Sequence, residues 1–346
     1  MPLKIIYGNN VETVTNAILQ DVRRHSDLWP NQRGLIIVRE NRKVLIERSY
    51  LLEQQADQLM MAEVLSFNRL AMRLLSEVGL FNDLTVNKEL SAMIIRRIMY
   101  ENAETLTYYG GLRYNRYFVQ ELSNIIDELN NHNIDFETLE NIKIDDENLR
   151  KKMADLALIG CAYKKFLQRH DLSDPHTWLE KLRQLLNYLL DIRELSSFVE
   201  ANLNTLKFFK QSETLFLACK RLASRLADTQ LWLTGFAEYG NFTPIEYDIV
   251  TSLIRLCRST TLSAVFSHAD QETNLARLLA SDFTVASGAS KVIKGLIERL
   301  PNEQVEHEAY FSSVELSDQR QIFWQAETHE IELRAAAGEI ARLVEE

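Results

Sequence analysis

The middle of this chain contains almost none of the residues that interrupt regular structure. Between residues 112 and 234 there is one glycine, Gly160, and one proline, Pro175. The whole chain of 346 residues has 11 glycines and 5 prolines, well below the roughly 12% that these two residues make up in an average protein. Because glycine and proline mark turns and end helices, their scarcity predicts long helices, which we expect over residues 87–225.

Short apolar runs alternate with helical patterns on both sides of this stretch. Such runs occur at 3–7, 34–38 and 62–67, and they return at 230–236 and 261–266. Buried strands that alternate with helices are typical of a parallel sheet covered on both faces. The predicted fold class is therefore α/β, a parallel sheet domain with a large all-helical insertion. The expected parts are the first part of the sheet domain at 1–86, the helical insertion at 87–225, the return to the sheet domain at 226–320 and the start of a second α/β domain at 321–346.

Other elements carry weaker signals. After the second strand a polar segment precedes a helix expected near 50–60, and residues 267–320 are ambiguous apart from a helix near 288–300. A strand is expected at 322–326 and a helix at 328–346. The chain stops within that helix without a capping glycine, so we expect it to be a piece of a longer protein.

The first strand leads into a segment that partly matches a phosphate-binding loop. Such a loop reads G-x-x-x-x-G-K-[ST] between a strand and a helix, and Gly8 and Thr15 stand at its first and last positions. Thr13 replaces the second glycine and Val14 replaces the lysine, so the backbone wrap and the positive charge that hold phosphate are both lost. Gly8 and Thr15 are therefore candidates for a vestigial nucleotide site. An ordinary strand–turn–helix with an accidental glycine and threonine explains the same residues.

The charge of the chain limits where nucleic acid can bind. The formal net charge is −10, so no overall positive field attracts nucleic acid. Residues 1–75 hold ten Lys and Arg against eight Asp and Glu. A nucleic-acid contact is therefore expected to be local and confined to a groove.

Neither a metal site nor a catalytic motif is predicted. The cysteines are Cys161, Cys219 and Cys257. They form no C-x-x-C pair, which predicts reduced, buried thiols. The His and Asp side chains at 170–176 fit a turn and a helix cap better than a metal site. There is no signal peptide and no apolar run of the ~18 residues that a membrane span requires, so we expect a cytoplasmic protein without a membrane partner.

Polar and basic side chains follow the second and third strands. Ligands of open α/β sheets bind at the carboxyl edge of the strands, where a hydroxyl and an arginine hold phosphate and an aromatic ring stacks on a base. The DNA-binding candidates are Ser66, Phe67, Asn68 and Arg69 after the third strand, and Arg39, Arg42 and Lys43 after the second. The alternative is that Phe67 belongs to the core and the charged residues are solvated. Residues 108–117 interleave tyrosines with arginines, which suits either single-strand stacking or an ordinary helix–turn–helix.

Four segments, in order, resemble the N-terminal part of AddB/RexB, the B subunit of the bacterial ATP-dependent helicase/exonuclease. They are the first strand and its loop frame at 3–15, Val64–Ala71 with Leu74 and Val78-Gly79, Leu233–Phe236 with Phe242–Pro244, and Gln325-Ala326 with Glu330–Arg334 and Ile340-Ala341. The second segment also resembles the superfamily 1 helicase motif that follows the third strand, where Thr-Phe-His-x-Leu-Ala is typical. The absent P-loop lysine favours the RexB branch.

The resemblance implies a superfamily 1 helicase-like sheet domain that belongs to a DNA-processing complex. That parent complex is expected to be an ATP-dependent DNA helicase and exonuclease, to use Mg and ATP, and to repair double-strand breaks by homologous recombination. The implied partner is an AddA/RexA-like A subunit, the motor of a heterodimer. The AddB/RexB-like chain itself is expected to guide DNA, in single-stranded form.

The resemblance also implies that this chain lacks catalytic chemistry of its own. Val14 replaces the P-loop lysine, and Thr234 stands where AddB sequences often carry an Asp that holds magnesium. We therefore expect no ATPase activity, no nuclease activity and no cofactor in this chain. Two alternatives stay open: an inert helical scaffold that only docks onto the motor, and a nucleotide-binding α/β enzyme.

Overall fold

A parallel sheet organises the structure. The computed structural model describes residues 3–28, 34–53, 62–81, 84–132, 134–139, 142, 145–194, 213–237, 242–266, 275–280, 288–300 and 305–311. Within them six strands form one sheet, and every pair of neighbouring strands is parallel. In the spatial order β3-β2-β4-β5-β1-β6, they are β1 Leu3–Gly8, β2 Gly34–Val38, β3 Ala62–Leu65, β4 Gln230–Ala237, β5 Ser259–Val265 and β6 Val305–Tyr310. The predicted α/β class with a parallel sheet is confirmed.

Helices connect these strands and fill the middle of the chain. The helices of the described residues are α1 Val11–Leu28, α2 Lys43–Glu53, α3 Phe67–Glu77, α4 Lys88–Glu101, α5 Arg116–Asn131, α6 Phe136–Leu139, α7 Glu147–Arg169, α8 Pro175–Glu194, α9 Glu213–Ala227, α10 Pro244–Leu256, α11 Leu275–Ala280 and α12 Gly288–Arg299. None of them is both long and apolar enough to cross a membrane.

Side chains along the inner strands alternate between two hydrophobic cores. Ile5 and Tyr7 of β1 face one core, whereas Ile6 between them faces the other. The core around Ile5 is completed by helices α3, α8, α9, α10 and α12, and the core around Ile6 by α1 and α2. The sheet is therefore covered on both faces, which is why its inner strands are continuous apolar runs.

Helices α4, α5, α6 and α7 pack around a third core of their own. Ile95 of α4, Ile126 of α5 and Tyr163 of α7 are buried together there. Phe136 of α6 lies so close to Gly160 of α7 that a Cβ added to this glycine would clash with the ring. The single glycine of the helical stretch is therefore explained by this close approach.

Helices α8 and α9 lie within the predicted insertion but contribute to the core of the sheet. Leu182 and Leu186 of α8 and Leu222 of α9 are buried in the same core as Ile5. Shared burial alone does not define a domain boundary, so the predicted division at 87 and 225 stays a prediction.

The helix expected near 50–60 begins earlier than predicted. Helix α2 starts at Lys43, directly after a short 3-10 turn at Glu40–Arg42. Ile46 and Tyr50, one turn apart, are buried against the sheet. The polar segment that follows the second strand is thus the 3-10 turn and the start of α2, whose exposed side also includes the apolar Val44 and Leu45.

Strand β6 has no counterpart among the predicted strands. Its residues 306–309 are all exposed at the edge of the sheet, so the apolar pattern that predicts a buried strand is missing. The strand and helix predicted at 322–326 and 328–346 lie outside the described residues.

Candidate nucleic-acid interface

The carboxyl ends of β2, β3 and β4 open into a cavity of about 650 Å³. Val38 ends β2, Ser66 follows β3 and Phe236 lies near the end of β4, and all three line this cavity. Residues of α4, α5, α7 and α8 line its other side. Because ligands of open parallel sheets bind at this edge, the cavity is the candidate site.

The segment after β3 forms the first turn of α3. The Ser66 hydroxyl caps this helix by accepting a hydrogen bond, at 3.5 Å, from the backbone N–H three residues on. The Phe67 ring packs against Phe236 and Phe242, with centroid distances of 5.2 and 6.0 Å, so the protein itself covers most of this ring. Asn68 lines the cavity, and its buried Oδ1 has no hydrogen-bond partner among the described residues. Among the DNA-binding candidates after β3, Asn68 therefore has a side-chain oxygen that is available to accept a hydrogen bond from a ligand.

Of the four basic candidates, Arg39 is the one that lines the cavity. It follows β2 directly, whereas Arg69 is exposed on α3 outside the cavity lining. Lys43 forms an ion pair with Glu47, with 3.2 Å between Nζ and Oε2, and Arg42 packs beside the backbone of β4. The structure thus brings Arg39 together with the segment after β3. DNA contact by these residues stays a prediction.

A chain of hydrogen bonds includes Ser91, Tyr163 and Asp174, three residues that line the helical side of the cavity. Ser123 donates to Ser91, and Ser91 donates to Tyr163, both at 3.1 Å. Tyr163 in turn donates to Asp174 at 3.3 Å. The other oxygen of Asp174 accepts from the backbone N–H and the hydroxyl of Thr177, at 2.8 and 2.6 Å. These contacts hold Asp174 at the start of α8, the helix cap that the sequence indicates.

The interior of the cavity is acidic. Burial, followed by the neighbouring charge of Asp174, raises the pKa of Asp127 to about 6, and Lys88 opposes this shift. Burial also raises the pKa of Glu246 and lowers the pKa of His176, whose buried Nδ1 has no partner among the described residues. Desolvation disfavours the charged form in each case. The lining nevertheless contains more carboxylates than cations. This excess disfavours a phosphate inside the cavity, whereas Lys88 is an exposed cation of the lining.

Several cavity residues were not predicted from the sequence. Asp127 lies on α5 between Ser123 and Asn131, and the three are spaced by four residues. This spacing places a polar stripe on one face of the helix, and a search for such stripes would have found it. Tyr163 lies on the buried face of α7, where nothing in the sequence distinguishes it from other core residues.

The segment that matches a phosphate-binding loop contains a very short connection. Gly8 is the last residue of β1 and α1 begins at Val11, so Asn9 and Asn10 alone connect the two elements. A Cβ added to Gly8 would clash with the carbonyl oxygen of Tyr310 in β6. The close approach of the neighbouring strand therefore explains this glycine without a nucleotide.

The residues that stand at the remaining positions of a nucleotide site, Val14, Thr15 and Thr234, pack against or bond to other parts of the protein. Val14 is fully buried in the core around Ile6, and Thr15 is half-buried. The Thr234 hydroxyl, in β4, accepts a hydrogen bond from Ser263 at 2.9 Å. No group of three or more His, Cys, Asp or Glu side chains within the described residues is arranged to hold a metal ion. A nucleotide role for Gly8 and Thr15 stays a prediction.

Fold and site together define an α/β protein with a polar cavity at the carboxyl edge of a parallel sheet. Residues 5–189 match the family described as ADDB, N-terminal, which is more than half of the chain. The chain therefore belongs to the AddB N-terminal family, and the resemblance seen in the sequence is confirmed.

Three similar proteins are each named as the B subunit of an ATP-dependent helicase/deoxyribonuclease. The chain is 24% identical over 266 residues to the protein of Lachnoclostridium phytofermentans, 28% over 171 residues to that of Alkaliphilus metalliredigens and 25% over 218 residues to that of Clostridioides difficile. The alignments cover 76%, 49% and 60% of this chain, but 20%, 15% and 19% of the relatives. The chain thus spans about a fifth of their length or less.

Proposed function

We propose that this chain is the N-terminal, helicase-like and ATPase-inactive region of the B subunit of an ATP-dependent helicase/deoxyribonuclease. In this proposal it binds and guides single-stranded DNA during repair of double-strand breaks by homologous recombination. Family membership and the names of the relatives support it. The proposed partner is an AddA/RexA-like motor subunit in a heterodimer, and Mg and ATP act in that complex. Assignment to the RexB branch remains part of the proposal.

The observation that carries the DNA-guiding role is the meeting of Arg39, Ser66 and Asn68 at the carboxyl edge of the sheet. A guanidinium group binds phosphate through several N–H donors, and an unpaired amide oxygen accepts a hydrogen bond from a base or sugar. The acidic interior keeps the DNA backbone at the rim, beside Arg39 and Lys88. The strand is therefore expected to pass across the mouth of the cavity.

Loss of ATPase activity follows from the two groups that replace the nucleotide machinery. Buried Val14 provides no charge for a γ-phosphate, and Thr234 provides no carboxylate for magnesium. We expect no phosphate release when the purified chain is incubated with Mg and ATP. Hydrolysis that is abolished by Thr15→Ala would instead support a nucleotide-binding enzyme.

A docking scaffold is the second candidate, and the acidity of the cavity favours it. Glu40, Asp127, Asp174 and Glu246 line the cavity together with the cations Arg39 and Lys88. Such an excess of carboxylates disfavours nucleic acid. A scaffold would bind the motor subunit through other surfaces and would leave the cavity without DNA.

Fluorescence anisotropy separates these two functions. A labelled single-stranded oligonucleotide is titrated with the chain at low and moderate salt, beside the variants Arg39→Ala and Arg69→Ala. The control is Arg23→Ala, an exposed arginine on α1. For the guiding role, we expect salt-sensitive binding that Arg39→Ala weakens and the control does not, because each phosphate contact releases counterions. Absence of binding at low salt would support the scaffold.

A further inference from the structure

Exposed tyrosines and arginines cluster at the far end of α4 from the cavity. Tyr114 and Tyr117 are 63% and 86% exposed, unusually high values for aromatic side chains. Tyr100 lies twelve residues beyond the cavity residue Lys88, which corresponds to about 18 Å along the helix. We refer to this cluster as the tyrosine surface, consisting of Arg96, Tyr100, Tyr108, Arg113, Tyr114, Arg116 and Tyr117.

Cations lie beside three rings of the tyrosine surface, those of Tyr100, Tyr108 and Tyr114. Arg113 lies 4.6 Å from the ring centre of Tyr114 and 5.7 Å from that of Tyr100. Arg96 lies 5.8 Å from the same Tyr100 ring, and the rings of Tyr100 and Tyr114 meet edge to face at 5.4 Å. Lys152 lies 4.8 Å from a further ring, that of Tyr108. The exposed aromatic area is therefore interleaved with positive charge.

A buried carboxylate fixes the loop that carries this surface. Asp155 of α7 is 3% exposed and accepts hydrogen bonds from the backbone N–H groups of Thr107, Tyr108 and Tyr109, at 3.0, 2.8 and 2.8 Å. The loop is thereby ordered before any ligand arrives. An ordered surface loses less conformational entropy on binding.

The local charge is opposite in sign to that of the whole chain. Residues 93–117 contain four arginines and two glutamates, whereas the chain as a whole has a net charge of −10. The centres of protein–protein interfaces are depleted in charge. Surfaces that bind single strands combine aromatic rings with a positive groove. Tyrosine and arginine are enriched at both kinds of surface, so composition does not separate them. The excess of positive charge over residues 93–117 favours nucleic acid over a protein partner.

We propose that the tyrosine surface is a second binding site for single-stranded nucleic acid. Bases stack on Tyr114 and Tyr117, and phosphates contact Arg113 and Arg116. The inference rests on the proposed DNA-guiding function and extends it, because a strand held at the rim of the cavity would continue along α4 to these rings. Asp155 acts as a positioning residue for the loop.

The test uses the whole chain and a fluorescent oligothymidine. We expect Tyr114→Ala with Tyr117→Ala to weaken binding roughly tenfold or more, since each stacked base contributes separately. Tyr114→Phe with Tyr117→Phe keeps the rings and should bind within about threefold of the wild type. The matched control is Ile125→Ala with Leu149→Ala, which removes two exposed apolar side chains from helices α5 and α7.

Photochemical crosslinking tests the contact directly. An oligonucleotide with 5-iodouracil should crosslink on irradiation to Tyr114 or Tyr117, as located by mass spectrometry.

The outcomes separate this surface from the cavity rim. If Arg39→Ala weakens binding while the tyrosine-to-alanine pair has no effect, the proposed function stands and this inference is wrong. If the tyrosine pair weakens binding and Arg39→Ala does not, the surface is supported and the rim is not. Unchanged oligonucleotide binding together with weaker association with the motor subunit would identify a protein-docking surface and overturn the inference. Crosslinks confined to other residues would overturn it too.

Discussion

The Tyr163 hydroxyl donates a hydrogen bond across 3.3 Å to the Asp174 carboxylate. Tyr163 is fully buried in the core of α4, α5, α6 and α7, whereas Asp174 holds the first turn of α8, whose apolar side chains belong to the same core as Ile5 of the sheet. This bond therefore joins the helical core to the sheet core at the wall of the cavity. Positions of the cavity residues depend on both cores at once.

Removal of this hydrogen bond should destabilise the fold measurably. Tyr163→Phe keeps the ring and deletes the hydroxyl that contacts both Ser91 and Asp174. We expect a loss of about 1–3 kcal/mol in the free energy of unfolding, since buried partners are left unsatisfied. Urea denaturation followed by circular dichroism measures it. The control Tyr117→Phe, on an 86% exposed ring, should change stability by less than about 0.5 kcal/mol. Equal stabilities for the two variants would contradict the coupling.

Asp127 should make stability fall as the pH rises towards neutrality. Its folded-state pKa is raised to about 6, so the unfolded chain, with a pKa of roughly 4, releases its proton first. Below about pH 4 the group is protonated in both states and has no effect. Between that pH and about 6 the free energy of unfolding falls. The expected loss is about 1–2 kcal/mol, reduced from the full effect of the shift because the Asp127 carboxyl is partly exposed to solvent.

Asp127→Asn removes this titration and provides the test. Thermal melts should show the variant more stable than the wild type at about pH 7 and equal to it at about pH 4. Asp145→Asn, at an exposed position, should show no such pH-dependent difference. A variant that is less stable at neutral pH would mean that the Asp127 carboxylate has a stabilising partner.

The sequence predicts the parts of this fold that depend on local pattern. The inner strands β1, β2, β4 and β5 are buried on both faces, so their apolar runs indicate both strand and parallel sheet. The apolar-run criterion does not predict strand β6, because most of its side chains face solvent. Arg39 and Asn68 could be placed at the sheet edge because each closely follows a predicted strand.

The helical half of the cavity depends on tertiary packing. Asp127 and Tyr163 line the same cavity only because α5 and α7 pack against α4. The spacing of residues within a single helix does not predict that Asp127 and Tyr163 lie near each other. In the same way, Gly8 matches a phosphate loop in sequence, but its role in contacting β6 becomes visible only when the strand order is known.

The loop of the tyrosine surface should loosen when its buried carboxylate is changed. In Asp155→Asn one oxygen becomes an NH₂ group that faces backbone N–H donors, so at least one hydrogen bond is lost. We expect a loss of about 1–3 kcal/mol in the free energy of unfolding. Hydrogen exchange measured by mass spectrometry should be faster for the amides of 107–109 and unchanged in β1. The matched substitution Glu128→Gln, on an exposed side chain of α5, should leave exchange in the loop as it is.

Restoring the lysine of the phosphate-loop pattern should damage the fold without creating a nucleotide site. Val14 is 0% exposed and packs between α1 and the sheet, so Val14→Lys would bury an ammonium group among apolar side chains. We expect a loss of about 3–5 kcal/mol or failure to fold, because no partner compensates the buried charge. The control Asn16→Lys places the same side chain at an exposed position of the same helix and should be nearly neutral. Thermal shift with and without Mg and ATP measures both effects. A stable Val14→Lys protein with a melting temperature raised by Mg and ATP would show that a phosphate site survives at this strand end, and that the two-residue connection to α1 rearranges to form it.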